Sequence, residues 1–154
     1  MKSHFAILGT TCLALTSAAC SGTDAASAAK RIGSAFVATP VAQFDEPWAM
    51  TFLPDGRLLV TEKPGKLKLV DVGSGRASDI GGIPPVAHGG QGGFGDVILH
   101  PQYADNSVVY VSYSEPGDGG NSGAAVARAT LSLDPSGGGK LADLRLIWRQ
   151  EPKV

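Results

Sequence analysis

The sequence predicts an all-β fold built from β-propeller blades, and three observations lead to this prediction. From residue 48 onward, short apolar segments alternate with turns rich in Gly and Pro. No window longer than a turn shows a helical period. The third observation is an internal repeat, because the second half of this region reproduces the pattern of the first half.

The strands predicted in the first half cover residues 48–53, 58–62 and 66–70. They are separated by Pro54-Asp55-Gly56 and Pro64-Gly65, both of which are strong turn signals. In the third strand Leu67 and Leu69 alternate with lysines, a pattern typical of a strand with one buried face.

The strands predicted in the second half cover residues 94–99, 108–113, 124–133 and 143–149. Residues 101–106 are predicted to form the turn after the first of them. The second strand is rich in β-branched and aromatic residues, which strands favour.

The two halves align when Trp48 is matched with Phe94. Each begins an apolar strand that leads to a turn and to a second strand ending near Glu62 or Glu115. The offset of about 46 residues lies within the roughly 40–50 expected for a four-stranded blade, which favours a propeller over a sandwich. Trp48 and Trp148 are expected to pack between blades.

Propeller closure requires more chain than the sequence contains. A propeller closes with about four to eight blades, whereas two are recognisable here. Two isolated blades would leave large apolar faces and open sheet edges. We therefore expect the chain to be a fragment of a longer protein.

Residues 1–20 are typical of a secretory signal. Lys2 gives a positive start, and the apolar segment that follows is too short to span a bilayer. Two kinds of cleavage stay open: lipidation of Cys20, which follows small residues as in a lipobox, or simple cleavage near residues 19–29. Ser17 stands where lipoboxes usually carry a larger aliphatic residue and weighs against lipidation. Both predict export, to the periplasm or to a lipid anchor on the cell envelope.

Composition excludes several kinds of site in the mature chain. Cys12 and Cys20, the two cysteines, both lie in the signal, so no thiol remains for a disulfide, a zinc site or a nucleophile. The chain has 13 Lys and Arg against 14 Asp and Glu, which does not predict binding to nucleic acid or to an anionic surface. Residues 21–40, rich in Ala, Ser and Gly, predict a flexible linker, and residues 41–154 the propeller domain.

A Gly-rich turn at residues 88–96 is the most distinctive local feature. Its glycines permit close approach of the backbone to a ligand, and Gln91 projects from the middle as an isolated hydrogen-bonding group. The turn leads directly into an apolar strand, whereas a phosphate-binding loop leads into a helix. The turn is therefore not predicted to bind a nucleotide.

Other polar residues near this turn have ordinary structural interpretations. His88 is predicted to be an exposed loop residue or to lie at a pocket rim, and His100 to close a strand at a turn. Asp96 alone, or Asp118 in its Gly-rich connector, falls short of the roughly six to eight oxygen ligands of calcium. No metal site is predicted within the chain.

Several segments, in order and with consistent spacing from about residue 40 to the end, together resemble a known family. They are Pro47-Trp48-Ala49-Met50-Thr51-Phe52-Leu53-Pro54-Asp55-Gly56, Leu59-Val60-Thr61-Glu62, Gly90-Gln91-Gly92-Gly93, Asp96-Val97-Ile98-Leu99-His100-Pro101, Val111-Ser112-Tyr113-Ser114-Glu115, Ala125-Val126-Ala127-Arg128 and Ile147-Trp148-Arg149-Gln150-Glu151-Pro152-Lys153. The chain resembles the soluble aldose sugar dehydrogenases that depend on pyrroloquinoline quinone (PQQ), in the glucose/sorbosone dehydrogenase group.

The resemblance implies a six-bladed propeller with the quinone over its central opening. It implies Ca²⁺ at the cofactor and, as in several members, at the interface of a homodimer. An aldose would be oxidised at its anomeric carbon to a lactone, with hydride transfer to PQQ and electrons passing to an external acceptor. The chemistry would belong largely to the cofactor, with the protein supplying orientation and a base.

Only one site residue carries over from the family. Gln91 matches the glutamine that lines the family's sugar pocket, and its amide both donates and accepts hydrogen bonds. No catalytic residue is predicted within the chain, because the family's histidine motif, similar to Gly-His-Phe-Gly-Gly, would follow just after Val154. Residues for the quinone and calcium would lie later still. The chain alone is therefore expected to be inactive and marginally stable.

Two other functions stay open from the sequence. The first is a non-catalytic propeller that binds proteins or glycans, which would lack the histidine motif. The second is a calcium-dependent propeller lactonase, which would need carboxylates and Asn side chains converging on a central ion. The residues that follow Val154 would distinguish these functions from the dehydrogenase.

Overall fold

The computed structural model describes residues 37–154, which contain eight strands, one short α-helix and one turn of 3-10 helix (Asp118–Gly120). The strands are β1 (Pro47–Phe52), β2 (Leu58–Glu62), β3 (Lys66–Asp71), β4 (Arg76–Gly81), β5 (Phe94–Leu99), β6 (Val108–Pro116), β7 (Ser122–Leu133) and β8 (Gly139–Arg149), and the helix is α1 (Tyr103–Asn106). No helix within residues 37–154 has the length and apolar character needed to cross a membrane. The predicted signal, its Cys20 and residues 21–36 of the predicted linker lie outside the described residues.

The eight strands form one sheet in the order β1-β2-β3-β4-β8-β7-β6-β5. Strands β1 to β4 pair antiparallel in succession and form blade 1, and β5 to β8 form blade 2 in the same way. The blades join where β4 runs parallel to β8, with Ile80 opposite Gly139. Strand β5 also packs against β1 and β2. The prediction of an all-β fold with two four-stranded blades is confirmed.

A single hydrophobic core contains side chains from both blades. Leu59 of blade 1 and Phe94 of blade 2 are completely buried within it. In β3, Leu67 and Leu69 are buried whereas Lys68 is partly exposed, so the predicted alternation is confirmed. Each buried aliphatic or aromatic side chain contributes about 1.5–3 kcal/mol to the free energy of unfolding.

Two strands differ most from the sequence prediction. Strand β4 was not predicted, because Ile80 is its one buried residue and the strand shows no apolar alternation. Strand β8 begins at Gly139, before the predicted start at residue 143. A bulge explains the difference, because Asp143 adopts a φ of 51° where the register between β7 and β8 shifts.

The internal repeat is confirmed with a correction of one residue. Met50 pairs with Val60 in the second strand of blade 1, and Val97 pairs with Val111 in the second strand of blade 2. Met50 and Val97 therefore occupy equivalent positions. Phe94 therefore corresponds to Pro47 and not, as the sequence alignment predicts, to Trp48. The alignment matches the first large apolar residues, whereas the backbone register decides which positions are equivalent.

A hydroxyl group on the second strand of each blade stabilises a bulge in the first strand. In blade 1 the buried Thr61 Oγ1 accepts a hydrogen bond from Ala49 N at 3.0 Å. In blade 2 Ser112 Oγ accepts from Asp96 N at 2.8 Å. A bulge removes the ladder partner of such an amide, so each hydroxyl supplies the missing acceptor.

One face of β1 is left uncovered by the two blades. Val97 in β5 is buried between the blades, whereas its equivalent Met50 is 66% exposed and Phe52 is 59% exposed. Met50 and Phe52 form what we call the uncovered stripe. The prediction that Trp48 and Trp148 pack between blades is wrong for these two blades, because each side chain is more than half exposed.

We expect Thr61→Val to lower the free energy of unfolding by about 1–2 kcal/mol, because Ala49 N loses its acceptor while the side-chain volume is kept. Urea unfolding of the purified protein measures the change. Thr51→Val, at a partly exposed position on β1, is the matched control. Equal effects of the two substitutions would contradict a specific role for the Thr61 hydroxyl.

Candidate functional site

A groove with a volume of about 390 Å³ runs along blade 2. Its walls are the Gly-rich turn, β6, the first residues of β7 and the segment that follows β8. Its lining includes the amide or hydroxyl residues Gln91, Ser112, Ser114, Ser122 and Gln150, of which Gln91 is exposed and the others are partly exposed, together with the buried Tyr113. Within residues 37–154, no Lys, Arg, His, Asp or Glu lines the groove. The groove is therefore neutral and rich in groups that both donate and accept hydrogen bonds.

Gln91 occupies the tip of a tight turn at the mouth of this groove. Gly92 N donates to Gly89 O at 2.8 Å, so Gly90 and Gln91 are the two central residues. Gly90 has a φ of 54°, in the left-handed region that glycine adopts at no steric cost. Gln91 itself is exposed. The turn thus presents Gln91, the one site residue predicted from the family resemblance, to the groove.

The chain on both sides of Gln91 is hydrogen-bonded to the backbone of Ser114 in β6. Ala87 N donates to Ser114 O at 2.8 Å, and Ser114 N donates to Gly93 O at 2.9 Å. Gly93 also contacts blade 1 so closely that a Cβ would lie 2.7 Å from Lys63 O. With its φ of 155°, this position requires glycine.

Ser112 and Ser114 reach the groove because they alternate along β6. Tyr113 between them points to the opposite face and is buried in the core, whereas both serines are partly exposed. Burial raises the pKa of Tyr113, and the nearby Glu115 carboxylate raises it further. Neither serine was predicted as a site residue, although the Ser-Tyr-Ser alternation places two hydroxyls on one face.

The segment after β8 forms the far wall of the groove. Gln150 N donates to Ala124 O at 2.8 Å, and Gln150 Oε1 accepts from Ala124 N at 3.1 Å. Further along, Ser122 N donates to Val154 O at 2.9 Å and Val154 N donates to Ser122 O at 3.0 Å. Residue 154 therefore lies in the same groove as Gln91. Gln150 was also missed, because its role depends on this pairing with β7.

The histidines among residues 37–154 lie outside the lining of the groove. His88 is exposed, and its Nε2 lies 3.3 Å from the Glu46 carboxylate. His100 Nδ1 accepts from Gln102 N at 3.0 Å, and its ring stacks on Tyr110. The structural interpretation of His100 is confirmed. Within the described chain, no three His, Cys, Asp or Glu side chains are grouped closely enough to hold a metal ion.

Comparison with known proteins identifies the family. The model of the family described as Glucose / Sorbosone dehydrogenase matches residues 44–154. The chain belongs to this family. It is 42% identical over 113 residues to the aldose sugar dehydrogenase YliI of Escherichia coli (strain K12).

Two solved structures support the glucose/sorbosone dehydrogenase assignment. The soluble aldose sugar dehydrogenase of Escherichia coli in the apo-form matches with a TM-score of 0.65 at 40% identity. The PQQ-bound aldose sugar dehydrogenase of Streptomyces coelicolor matches with a TM-score of 0.64 at 27% identity. The β-propeller fold and the family resemblance predicted from the sequence are confirmed.

The chain spans about a third of the length of these family members. The matches cover 73%, 71% and 75% of this chain, but 30%, 31% and 34% of YliI and of the two solved chains. The two blades and the groove are therefore features of one part of the family fold.

An ion triad holds the far wall of the groove in this family member. Glu115 Oε1 lies 2.7 Å from Arg149 Nη2, and Glu115 Oε2 lies 2.8 Å from Lys153 Nζ. Lys153 Nζ also donates to Pro116 O at 2.8 Å. The Lys153 ammonium and then the Arg149 guanidinium lower the pKa of Glu115 below its usual 4.5. The triad thus attaches the segment before Val154 to the end of β6.

The lowered pKa of Glu115 predicts a pH dependence of stability. The carboxylate stabilises the folded state above pH 4.5, and this contribution is lost as the pH falls through the lower folded-state value. At about pH 7, we expect Glu115→Gln to lower the free energy of unfolding by about 1 kcal/mol, because the triad is partly exposed. At about pH 3 the effect should be smaller, because the carboxylate begins to be protonated below its unfolded-state pKa. The exposed Asp105→Asn is the control, and a Glu115→Gln effect of equal size at both pH values would contradict the prediction.

Proposed function

We propose that the protein containing this chain is an exported quinoprotein oxidoreductase that converts aldoses to lactones by hydride transfer to PQQ. Family membership supports an aldose sugar dehydrogenase. The observation that carries the proposal is the neutral groove, which is lined by Gln91 together with other amide and hydroxyl residues. Sugar hydroxyls both donate and accept hydrogen bonds, and they are matched by groups that do the same.

Gln91 acts in this proposal as a substrate ligand and not as a base. Its amide has no useful proton affinity, but it donates to one sugar hydroxyl and accepts from another. Ser112 and Ser114 supply two further hydroxyls on the adjacent wall. Gln91 therefore orients the sugar, and orientation is the contribution that a cofactor enzyme requires from its protein.

The base in the proposed reaction is a histidine in the chain that follows Val154. Val154 lines the groove and pairs with Ser122, which supports the entry of the following residues at the Gln91 site. The histidine would accept the proton of the anomeric hydroxyl as hydride leaves the same carbon. Expression of the full-length frame tests whether this residue exists.

The cofactors proposed for the whole protein are PQQ and Ca²⁺. PQQ accepts the hydride when bound, and a relative from Streptomyces coelicolor is described as PQQ-bound. The groove does not fit this cofactor, because PQQ carries several carboxylates and no cation among residues 37–154 lines the groove. We therefore assign this part of the chain to the sugar and leave the quinone and calcium ligands to the rest of the protein.

The uncovered stripe supports a larger assembly of blades. In blade 2 the position equivalent to Met50 is Val97, which blade 1 covers. A further blade of the longer protein would cover Met50 and Phe52 in the same way. Export, either to the periplasm or to a lipid anchor at Cys20, a homodimer and an external electron acceptor complete the proposal.

We expect Gln91→Ala to raise KM for the aldose roughly tenfold, because one or two neutral hydrogen bonds to the sugar are lost. Aldose-dependent dye reduction by the full-length protein, with and without PQQ and Ca²⁺, measures it. Gln102→Ala, an exposed glutamine outside the groove, is the matched control. Wild-type protein that binds glycans without reducing the dye would favour the binding module, and calcium-dependent lactone hydrolysis would favour the lactonase.

Residues 21–154 expressed alone are expected to show no aldose oxidation with PQQ and Ca²⁺. The groove supplies contacts for a sugar but no base. The same assay on this segment and on the full-length protein makes the comparison. Turnover by the short segment would contradict the assignment of the base to residues after Val154.

A further inference from the structure

Lys63, directly after β2, contacts the Gly-rich turn from blade 1. Its Nζ donates to Gly90 O at 2.8 Å, and the side chain is only 14% exposed. The same Nζ lies 5.6 Å from the centroid of the Trp48 ring and 3.9 Å from Glu46 Oε2. An aromatic face and a carboxylate therefore hold the ammonium where it meets the turn.

The backbone of Lys63 binds the other end of the same loop. Phe94 N donates to Lys63 O at 2.9 Å, and Lys63 N donates to Glu46 O at 3.0 Å. Gly93 packs against the same carbonyl without room for a Cβ. Lys63 thus holds the Gly-rich turn on both sides of Gln91. Its ammonium binds Gly90 O, before Gln91 in the sequence, and its carbonyl accepts from Phe94 N, after Gln91.

The carbonyl that Lys63 binds has a particular effect on Gln91. Gly90 O belongs to the peptide between Gly90 and Gln91, which is the central peptide of the turn. Turn types differ mainly in the orientation of this peptide, and glycine permits more than one orientation. An ammonium on the carbonyl oxygen selects one of them, and a charged donor binds more strongly than a neutral one. The direction of the Gln91 side chain follows from that orientation.

We propose that Lys63 is a positioning residue that fixes the direction of Gln91 in the groove. The inference rests on the function proposed for Gln91. Lys63 does not line the groove, so it acts through the turn and not on the sugar. It would therefore affect sugar binding through Gln91 alone.

The test combines kinetics with hydrogen exchange in the full-length holoprotein. Lys63→Met keeps the length and apolar stem of the side chain but removes the ammonium. We expect it to raise KM for the aldose roughly tenfold, with kcat changed less than about twofold, because a hydrogen bond of the ligand site is lost. Combined with Gln91→Ala, it should add little to the effect of Gln91→Ala alone. Lys66→Met, at an exposed position on β3, is the control.

Exchange of the Gly92 amide reports the turn independently of activity, because that amide donates to Gly89 O. We expect faster exchange in Lys63→Met and wild-type exchange in Lys66→Met and Lys63→Arg. Unchanged Gly92 exchange, or a KM effect that adds to that of Gln91→Ala, would overturn the positioning role. If Lys63→Met speeds Gly92 exchange but Gln91→Ala leaves KM unchanged, the contact between Lys63 and the turn is supported and the function proposed for Gln91 is refuted. If Lys63→Met fails to fold, Lys63→Gln takes its place, because its shorter side chain also removes the ammonium.

Discussion

The candidate site depends on the close approach of two backbones, at Lys63 in blade 1 and at Gly93 and Phe94 in blade 2. One carbonyl, Lys63 O, accepts from Phe94 N and leaves no space for a side chain at Gly93. The start of β5 and the end of the Gly-rich loop are therefore fixed by the neighbouring blade. Because Gln91 lies on that loop, packing between blades determines the geometry of a groove that blade 2 otherwise forms alone.

The repeat shows that a hydroxyl residue on the second strand of a blade can have both a structural role and a place in the candidate site. Thr61 and Ser112 occupy equivalent positions, and each hydroxyl accepts from an amide in a bulge of the preceding strand. Thr61 is buried, and its hydroxyl bonds to both N and O of Ala49, whereas Ser112 also lines the groove. Gly95 in β5 leaves space beside Ser112, because a Cβ at this position would lie 2.7 Å from Ser112 Oγ. Ser112 thus both supplies an acceptor to a backbone amide and lies where a ligand can contact it.

The sequence was sufficient for features that depend on local pattern and insufficient for those that depend on pairing. Alternation in β3 and the turn at Asp55-Gly56 are local, and both were predicted correctly. Strand β4 has one buried side chain, Ile80, and exists because β3 and β8 supply its hydrogen bonds. In the groove, Gln91 was found through its isolated place among glycines. Gln150 was not, since only its pairing with Ala124 brings it there.

The uncovered stripe has a chemical consequence. Met50 is 66% exposed, so its thioether is open to peroxide, and oxidation would place a polar sulfoxide on an apolar face. A neighbouring blade would bury the sulfur and slow this reaction, as blade 1 buries the equivalent Val97. The rate of Met50 oxidation therefore records whether that side of the ring is closed. Prior oxidation would in turn oppose closure, because the sulfoxide would have to be desolvated within the interface.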